Sequence, residues 1–383
     1  MKKIIAVLLV LVITLGAVSV SSFAAFDKDS EKLFFNADGK FKIMMVNDTQ
    51  DVGKNANKMM IDFFTKALDS EKPDLVVFVG DQLSETYIFP TKEDFKIAID
   101  NVCKPLEERK IPFLVTMGNH DHDREKTMVE KEQYEIYNSY SMCINTENGP
   151  FDDPFTCSKL VYSRAGKAKL NLYVVDSNNK NSDGIYEGLT ADQVKFIKDT
   201  AAANKMINGG NALPSLSFQH IPCKEIYQFV KEAKISDEDS VFSQDTLKWY
   251  NLDRTKVESG EMGETPNTID LDDGEYKAWV EDGDIIGAFF GHDHINTFIG
   301  TTEDGIRLGY NGGAGFRAYG DKQNRVVRIF ELDESDVSAY TTRLVTYGDL
   351  GGQVGFRFND YLNYSTLSIV FKVIYRLLFD IVN

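Results

Sequence analysis

The sequence predicts an α/β fold built from two mixed sheets in a single domain, and three observations carry that prediction. Through the first third of the chain, apolar runs of strand length alternate with stretches of helical periodicity. Beyond residue 296, short strands separated by turn residues crowd together, which suggests a second, more antiparallel sheet. No internal repeat and no Ser- or Pro-rich linker divides the chain.

The N-terminus reads as an export signal over residues 1–24. Lys2-Lys3 form the charged region, Ile4 to Val20 is apolar, and Ser22-Phe23-Ala24 suits a small-residue cleavage site. A retained N-terminal membrane helix is the alternative. Cleavage leaves about 359 residues, with residues 25–358 as the folded domain and 359–383 as a C-terminal helix. The expected location is extracellular or in the cell envelope.

Phe41 to Val46 predicts a first buried strand, ending in Asn47-Asp48-Thr49-Gln50-Asp51. Asn57 to Leu68 follows as a helix with Met60, Phe63, Phe64 and Ala67 on one stripe. Asp74 to Val79 is a second strand stopping at Gly80-Asp81-Gln82, and Glu93 to Arg109 a second helix. Ile111 to Thr116 is a third strand, running into Gly118-Asn119-His120-Asp121. Such alternation implies a parallel sheet faced with helices, whose ligands gather at the carboxyl ends of its strands. One Asp after a strand is usually a cap or turn residue; three in phase are a pattern.

The middle is less regular. Leu160 to Ser163 and Leu170 to Asp176 predict strands, and Thr190-Ala191-Asp192-Gln193 has the form of a capping box opening a helix. Ser215 to Gln219 leads as a strand into His220, and Ile285 to Phe290 into Gly291-His292-Asp293-His294. Asp237 to Asp273 is long and acidic, either a disordered excursion or a functional lid. Thr297 to Gly300, Ile306 to Tyr310, Arg325 to Leu332 and Ala339 to Thr346 supply the strands of the expected second sheet. From Leu362 to Val382 the chain is apolar except for Lys372, Arg376 and Asp380, spaced by four. That helix either packs on the domain or lies in a membrane surface.

Charge narrows the partners. The formal net charge is −17, becoming −19 once Lys2 and Lys3 leave with the signal. Nucleic acid is disfavoured, because phosphate-backbone affinity needs clustered Lys and Arg. A phosphorylated substrate met by metal ions is not. Four cysteines, Cys103, Cys143, Cys157 and Cys223, permit two disulfides in an exported protein. Cys143 and Cys157 are the expected pair, with four free thiols as the alternative. Oligomeric state is not encoded in any motif.

The five histidines are His120, His122, His220, His292 and His294. Together with Asp48, Gln50, Asp81 and Asn119, His220, His292 and His294 offer carboxylate, amide and imidazole donors at predicted strand ends. This donor mixture suits Mn, Zn, Fe or Mg. Seven ligands exceed one site with an open position and suit two divalent ions sharing a carboxylate. Two metals about 3.5–4 Å apart can hold a hydroxide between them and clamp both oxygens of an in-line phosphoryl displacement. His120 would then act as general acid, with Asp121 either orienting it or capping the following helix.

The series Asp48-Thr49-Gln50, Gly80-Asp81, Gly118-Asn119-His120-Asp121, His220 and Gly291-His292-Asp293-His294 resembles the five blocks of the calcineurin-like metallophosphoesterases. The stretch Gly309 to Gly320 is similar to their small purple-acid-phosphatase-like branch, of plant type with fungal relatives. The resemblance implies a four-layer α/β/β/α sandwich and hydrolysis of phosphate mono- or diesters. It implies a first metal on Asp48, Gln50 and His294, a second on Asn119, His220 and His292, and Asp81 as the bridge. Two departures stand out. Gln50 occupies a position where the family pattern has His, which implies a weaker, harder first site. Gly80 to Ser84 lacks the Tyr of true purple acid phosphatases, so no ferric, coloured centre is expected. His122 reads as a solvent-exposed residue or a substrate-phosphate contact, and Arg317 and Tyr319 as substrate contacts or strand-edge residues.

Overall fold

The computed structural model describes residues 25–51, 58–83, 91–123, 127–150, 152–356, 360 and 364–379. The expected export signal lies outside the described residues, as do Ser84 and both ends of the 359–383 segment.

Two large sheets stack face to face. The smaller runs, edge to edge, β17 (Asp336–Thr346), β16 (Val326–Asp333), β3 (Lys40–Val46), β4 (Leu75–Val79) and β5 (Phe113–Thr116). The larger runs β1 (Phe26–Asp27), β2 (Lys32–Phe34), β6 (Cys157–Tyr162), β7 (Ala168–Val175), β8 (Ser215–Gln219), β13 (Ile285–Phe290), β15 (Arg307–Tyr310), β14 (Ile299–Thr301) and β12 (Val257–Ser259). β3, β4 and β5 are parallel to one another, as are β7, β8, β13 and β15.

Strand alternation sorts side chains into three apolar layers. Met44, Val46, Val76 and Phe78 pack outward against α1 (Lys58–Glu71) and α2 (Lys92–Arg109), meeting Phe63, Phe64, Phe95 and Ile99, and the short α3 (Asn119–His122) and α4 (Glu130–Asn138) follow in the chain. Their neighbours Ile43, Met45, Leu75 and Val77 pack inward against Leu172, Val174, Phe218 and Phe289 of the larger sheet. On that sheet's far side, Tyr173, Ala288 and Phe290 pack with Ile197 of α5 (Ala191–Ile207) and Trp279 of α6 (Glu275–Asp282). The result is the four-layer α/β/β/α sandwich. Each buried large side chain contributes roughly 1.5–3 kcal/mol.

The caps follow the local sequence. Thr190 and Gln193 form the expected reciprocal box at the start of α5. Thr91 and Asp94 form another at α2, which ends at Lys110 in the left-handed region, φ 56°.

Two expectations change and two open alternatives narrow. The strands beyond residue 296 do not make a sheet of their own. β14 and β15 extend the larger sheet, whereas β16 pairs antiparallel with β3 and closes the smaller one. β16 covers an edge of β3 whose backbone groups would otherwise be unpaired, and its Phe330 and Leu332 fill the space between the sheets. The disulfide Cys143–Cys157 is not formed, and all four cysteines are free thiols. Burial pushes Cys143 up to about 12 and Cys157 up to about 11. The acidic excursion is ordered: its β10 (Val241–Phe242) and β11 (Trp249–Leu252) form a small sheet with β9 (Val230–Ala233), which precedes it, and its β12 joins the large one. Lastly, α7 (Tyr364–Phe379) packs one face on β10. Phe371 meets Phe242 at 5.0 Å, and Ser368 Oγ accepts from Phe242 N. Its other face leaves Ile369, Val373, Ile374 and Leu377 exposed. No described helix is long and apolar enough to cross a membrane.

Candidate metal centre

The carboxyl ends of β3, β4, β5, β8 and β13 deliver the predicted ligands to one edge of the sandwich. The turns that do so are strained. Asp48, Gln50, Asp81 and His292 all have left-handed backbone, with φ of 52°, 42°, 53° and 73°. Non-glycine residues in this region persist only where the surroundings over-determine them, and such residues cluster at functional sites. Close approach also demands glycine at 118, where a Cβ would lie 2.3 Å from Asp81 Oδ1 and 2.8 Å from His220 Cδ2.

Asp48, Asp81 and His294 bring ligand atoms within 4.8 Å of one another. His294 Nε2 is 3.2 Å from Asp48 Oδ1, and His220 Nε2 is 3.3 Å from Asp81 Oδ2. Each imidazole is aimed by its other nitrogen. His220 Nδ1 bonds Val79 O at 2.9 Å, and His294 Nδ1 bonds Tyr319 O at 3.0 Å. Carbonyl partners require N–H on Nδ1 and leave the Nε2 lone pairs facing the centre. At His292 the Asn267 amide sits 2.9 Å from Nε2, so Nδ1 is the nitrogen Asn267 does not engage.

The centre fits divalent metal on its own chemistry. Asp48 Oδ1, Asn119 Oδ1 and His220 Nε2 are buried with no hydrogen-bond partner. Buried polar atoms of this kind are costly unless a ligand satisfies them. Burial opposes ionisation of Asp48 and Asp81, but His294 and His220 for the first, and His220 and His120 for the second, hold both below the usual carboxylate range. Burial would lower His220, yet Asp81 and Asp48 raise it to about 10. Burial and then His220 lower His292 to about 3. Two buried carboxylates thus call for positive charge, which a divalent metal held by these residues would supply.

Gln50 faces the centre with its amide nitrogen, donating to Asp81 Oδ2 at 3.1 Å. His120 stands at the rim, its backbone N–H on Asp81 Oδ1 at 2.8 Å and its Nε2 4.0 Å from Asp81 Oδ2. The carboxylate on its Nδ1 is Asp123, at 2.9 Å, itself held by Asn179 Nδ2 at 3.0 Å. Asp121 takes the capping role: its oxygens accept from Gly118 N and Leu83 N, tying two ligand turns together. Burial and then Asp81 push its carboxyl up to about 6.

The three expected substrate residues each have protein partners. His122 is not solvent-exposed; its side chain is 9% exposed and meets Asp176 at 3.0 Å. Arg317 pairs with Asp51 at 3.1 Å. Tyr319 stacks on His294 with ring centroids 4.3 Å apart and donates to Glu264 at 2.7 Å. Neither Arg317 nor Tyr319 lies in a strand.

A family model described as calcineurin-like phosphoesterase matches residues 41–296, the span that carries every ligand turn. The chain belongs to that family. It is 28% identical over 353 residues to Probable inactive purple acid phosphatase 14 of Arabidopsis thaliana, covering 82% of this chain and 80% of that one. It is 25% identical over 344 residues to Phosphatase DCR2 of Saccharomyces cerevisiae, covering 82% of this chain and 55% of that one. Among solved structures it is similar to TT1561 of Thermus thermophilus, with TM-score 0.39 and 9% identity over 79% of this chain and 98% of that one. Plant and yeast relatives agree with the branch the Gly309 to Gly320 stretch suggested.

In this calcineurin-like centre, sequence reasoning missed Asp123, Asn179, Tyr186, Glu264 and Asn267. Asp123 carries a signal in hindsight, being three residues after His120 on one helical turn. Tyr186, whose ring edge meets His292 at 5.5 Å, and the two residues from the acidic excursion carry none.

Proposed function

We propose that this chain hydrolyses phosphate esters at a dinuclear divalent-metal centre. The observation that supports it best is that ligand atoms of Asp48, Asp81 and His294 lie within 4.8 Å of one another, with His220 Nε2 buried, unpartnered and 3.3 Å from Asp81 Oδ2. Asp48, Gln50 and His294 would hold one ion, Asn119, His220 and His292 the other, with Asp81 shared. The metals would polarise the phosphoryl oxygens and lower the pKa of water. The chain's own part is to fix the imidazoles through Val79 O and Tyr319 O and to keep a proton at the rim. His120, with Nδ1 on Asp123, donates that proton from Nε2 to the departing oxygen.

A second reading is a metal-binding protein without turnover. Two observations favour it: the Gln50 amide donates to Asp81 rather than offering an imidazole, and a plant relative bears the name probable inactive. Metal content of the purified protein, measured beside hydrolysis of an aryl monoester and an aryl diester, separates the readings. Two metals with turnover support the hydrolase, and the preferred ester narrows its substrate class. Metal without turnover, after reconstitution with Mn or Zn, supports the second.

A further inference from the structure

Tyr319 touches His294 in two ways and reaches it through Glu264 in a third. Its ring lies on the imidazole at 4.3 Å, nearly parallel at 15°, and its carbonyl accepts from Nδ1 at 3.0 Å. Its hydroxyl donates to Glu264 Oε2 at 2.7 Å, and Glu264 Oε1 accepts from Ile295 N at 3.2 Å, the residue following His294. Glu264 is itself buried and anchored, since its own N–H and that of Gly263 bond Asn296 Oδ1 at 3.2 and 3.0 Å. The loop therefore closes on both sides of His294.

We infer that Tyr319 and Glu264 form a clamp that positions His294, so that Tyr319 acts on metal affinity and is not a substrate contact. The inference rests on the dinuclear reading. In that reading the first ion has a single imidazole, because Gln50 stands where a second would be. Its affinity then depends on how rigidly His294 is aimed, since a ligand free to rotate must be ordered on binding. The second ion has two imidazoles, His220 and His292, neither touched by this clamp. Tyr319 is a positioning residue, and its loss should be felt at one ion only.

The test is a Mn titration of the full chain, resolving two binding steps, in wild type, Tyr319→Phe and Tyr319→Leu. Phenylalanine keeps the stack and the carbonyl but loses the hydroxyl; leucine loses both side-chain contacts. Tyr319→Leu should weaken one step about 10–100-fold and leave the other within about twofold, with Tyr319→Phe in between. The weakened step should be the one that Gln50→His strengthens. Should the Leu variant not fold, selective weakening beyond about threefold in Tyr319→Phe supports the clamp. Two steps unchanged in the folded variants, or both weakened equally, overturn it. Wild-type protein that binds no Mn at all instead refutes the dinuclear reading, before any variant is compared.

Discussion

Gln50 and Asp81 are joined by a hydrogen bond of 3.1 Å from the Gln50 amide to the carboxylate at the middle of the centre. Where the family pattern has an imidazole lone pair, this chain presents a donor. An amide ligates a borderline divalent ion less strongly than imidazole does. Gln50→His should therefore tighten one metal step by about tenfold, roughly 1.4 kcal/mol, and leave the other unchanged. A titration in which neither step moves would show that residue 50 is outside the coordination sphere.

His120 and Asp123 form the proton-delivery pair of the proposed reaction. His120→Ala should lower turnover on an aryl phosphate about 10²–10⁴-fold while metal content stays at the wild-type level. Asp123→Asn keeps the size of the partner but removes its charge, and should lose about tenfold or more. Asp121→Asn serves as the contrast. Its carboxylate ties Gly118 to Leu83, so its loss should appear in thermal stability and metal content. Full activity in His120→Ala would remove that residue from the mechanism.

The buried pair His122–Asp176 makes stability depend on pH in a stated direction. Burial alone would lower the His122 pKa, but Asp176 outweighs it and raises it to about 10, against about 6.5 in an unfolded chain. The folded value lies above the unfolded one. The contribution is thus complete below about pH 6.5 and lost as pH rises through about 10. His122→Gln should lower the melting temperature at about pH 6 and cost much less at about pH 10.5. Equal losses at both pH values would mean the proton carries none of this stability.

Gly118 tests the cradle itself. A methyl group there would sit 2.3 Å from Asp81 Oδ1 and 2.6 Å from Asp81 N. Gly118→Ala should cost on the order of 1–3 kcal/mol and reduce metal content, because relief of the clash moves Asp81. Elemental analysis beside circular dichroism checks this. Full metal content in a folded variant would show that the turn has room the geometry denies.

The sequence by itself determined where the candidate ligands would gather. Asp48, Asp81, Asn119, His220 and His292 each follow a short apolar run, and parallel strands under helices send their carboxyl ends to one edge. That information is local: a strand, its terminating turn and one polar residue. The tertiary structure decided what each polar group would face. β16 joined β3 because edge pairing is chosen by backbone groups and apolar faces far apart in sequence, which no local period records. Asp123 rather than Asp121 met His120 because Asp121 was already turned to Gly118 N and Leu83 N. Tyr319 and Glu264 are 55 residues apart, and His122 and Asp176 are 54 apart. Pairings at that separation exist only once the sandwich has closed, since burial is what makes an unpaired carboxylate or imidazole costly enough to need its partner.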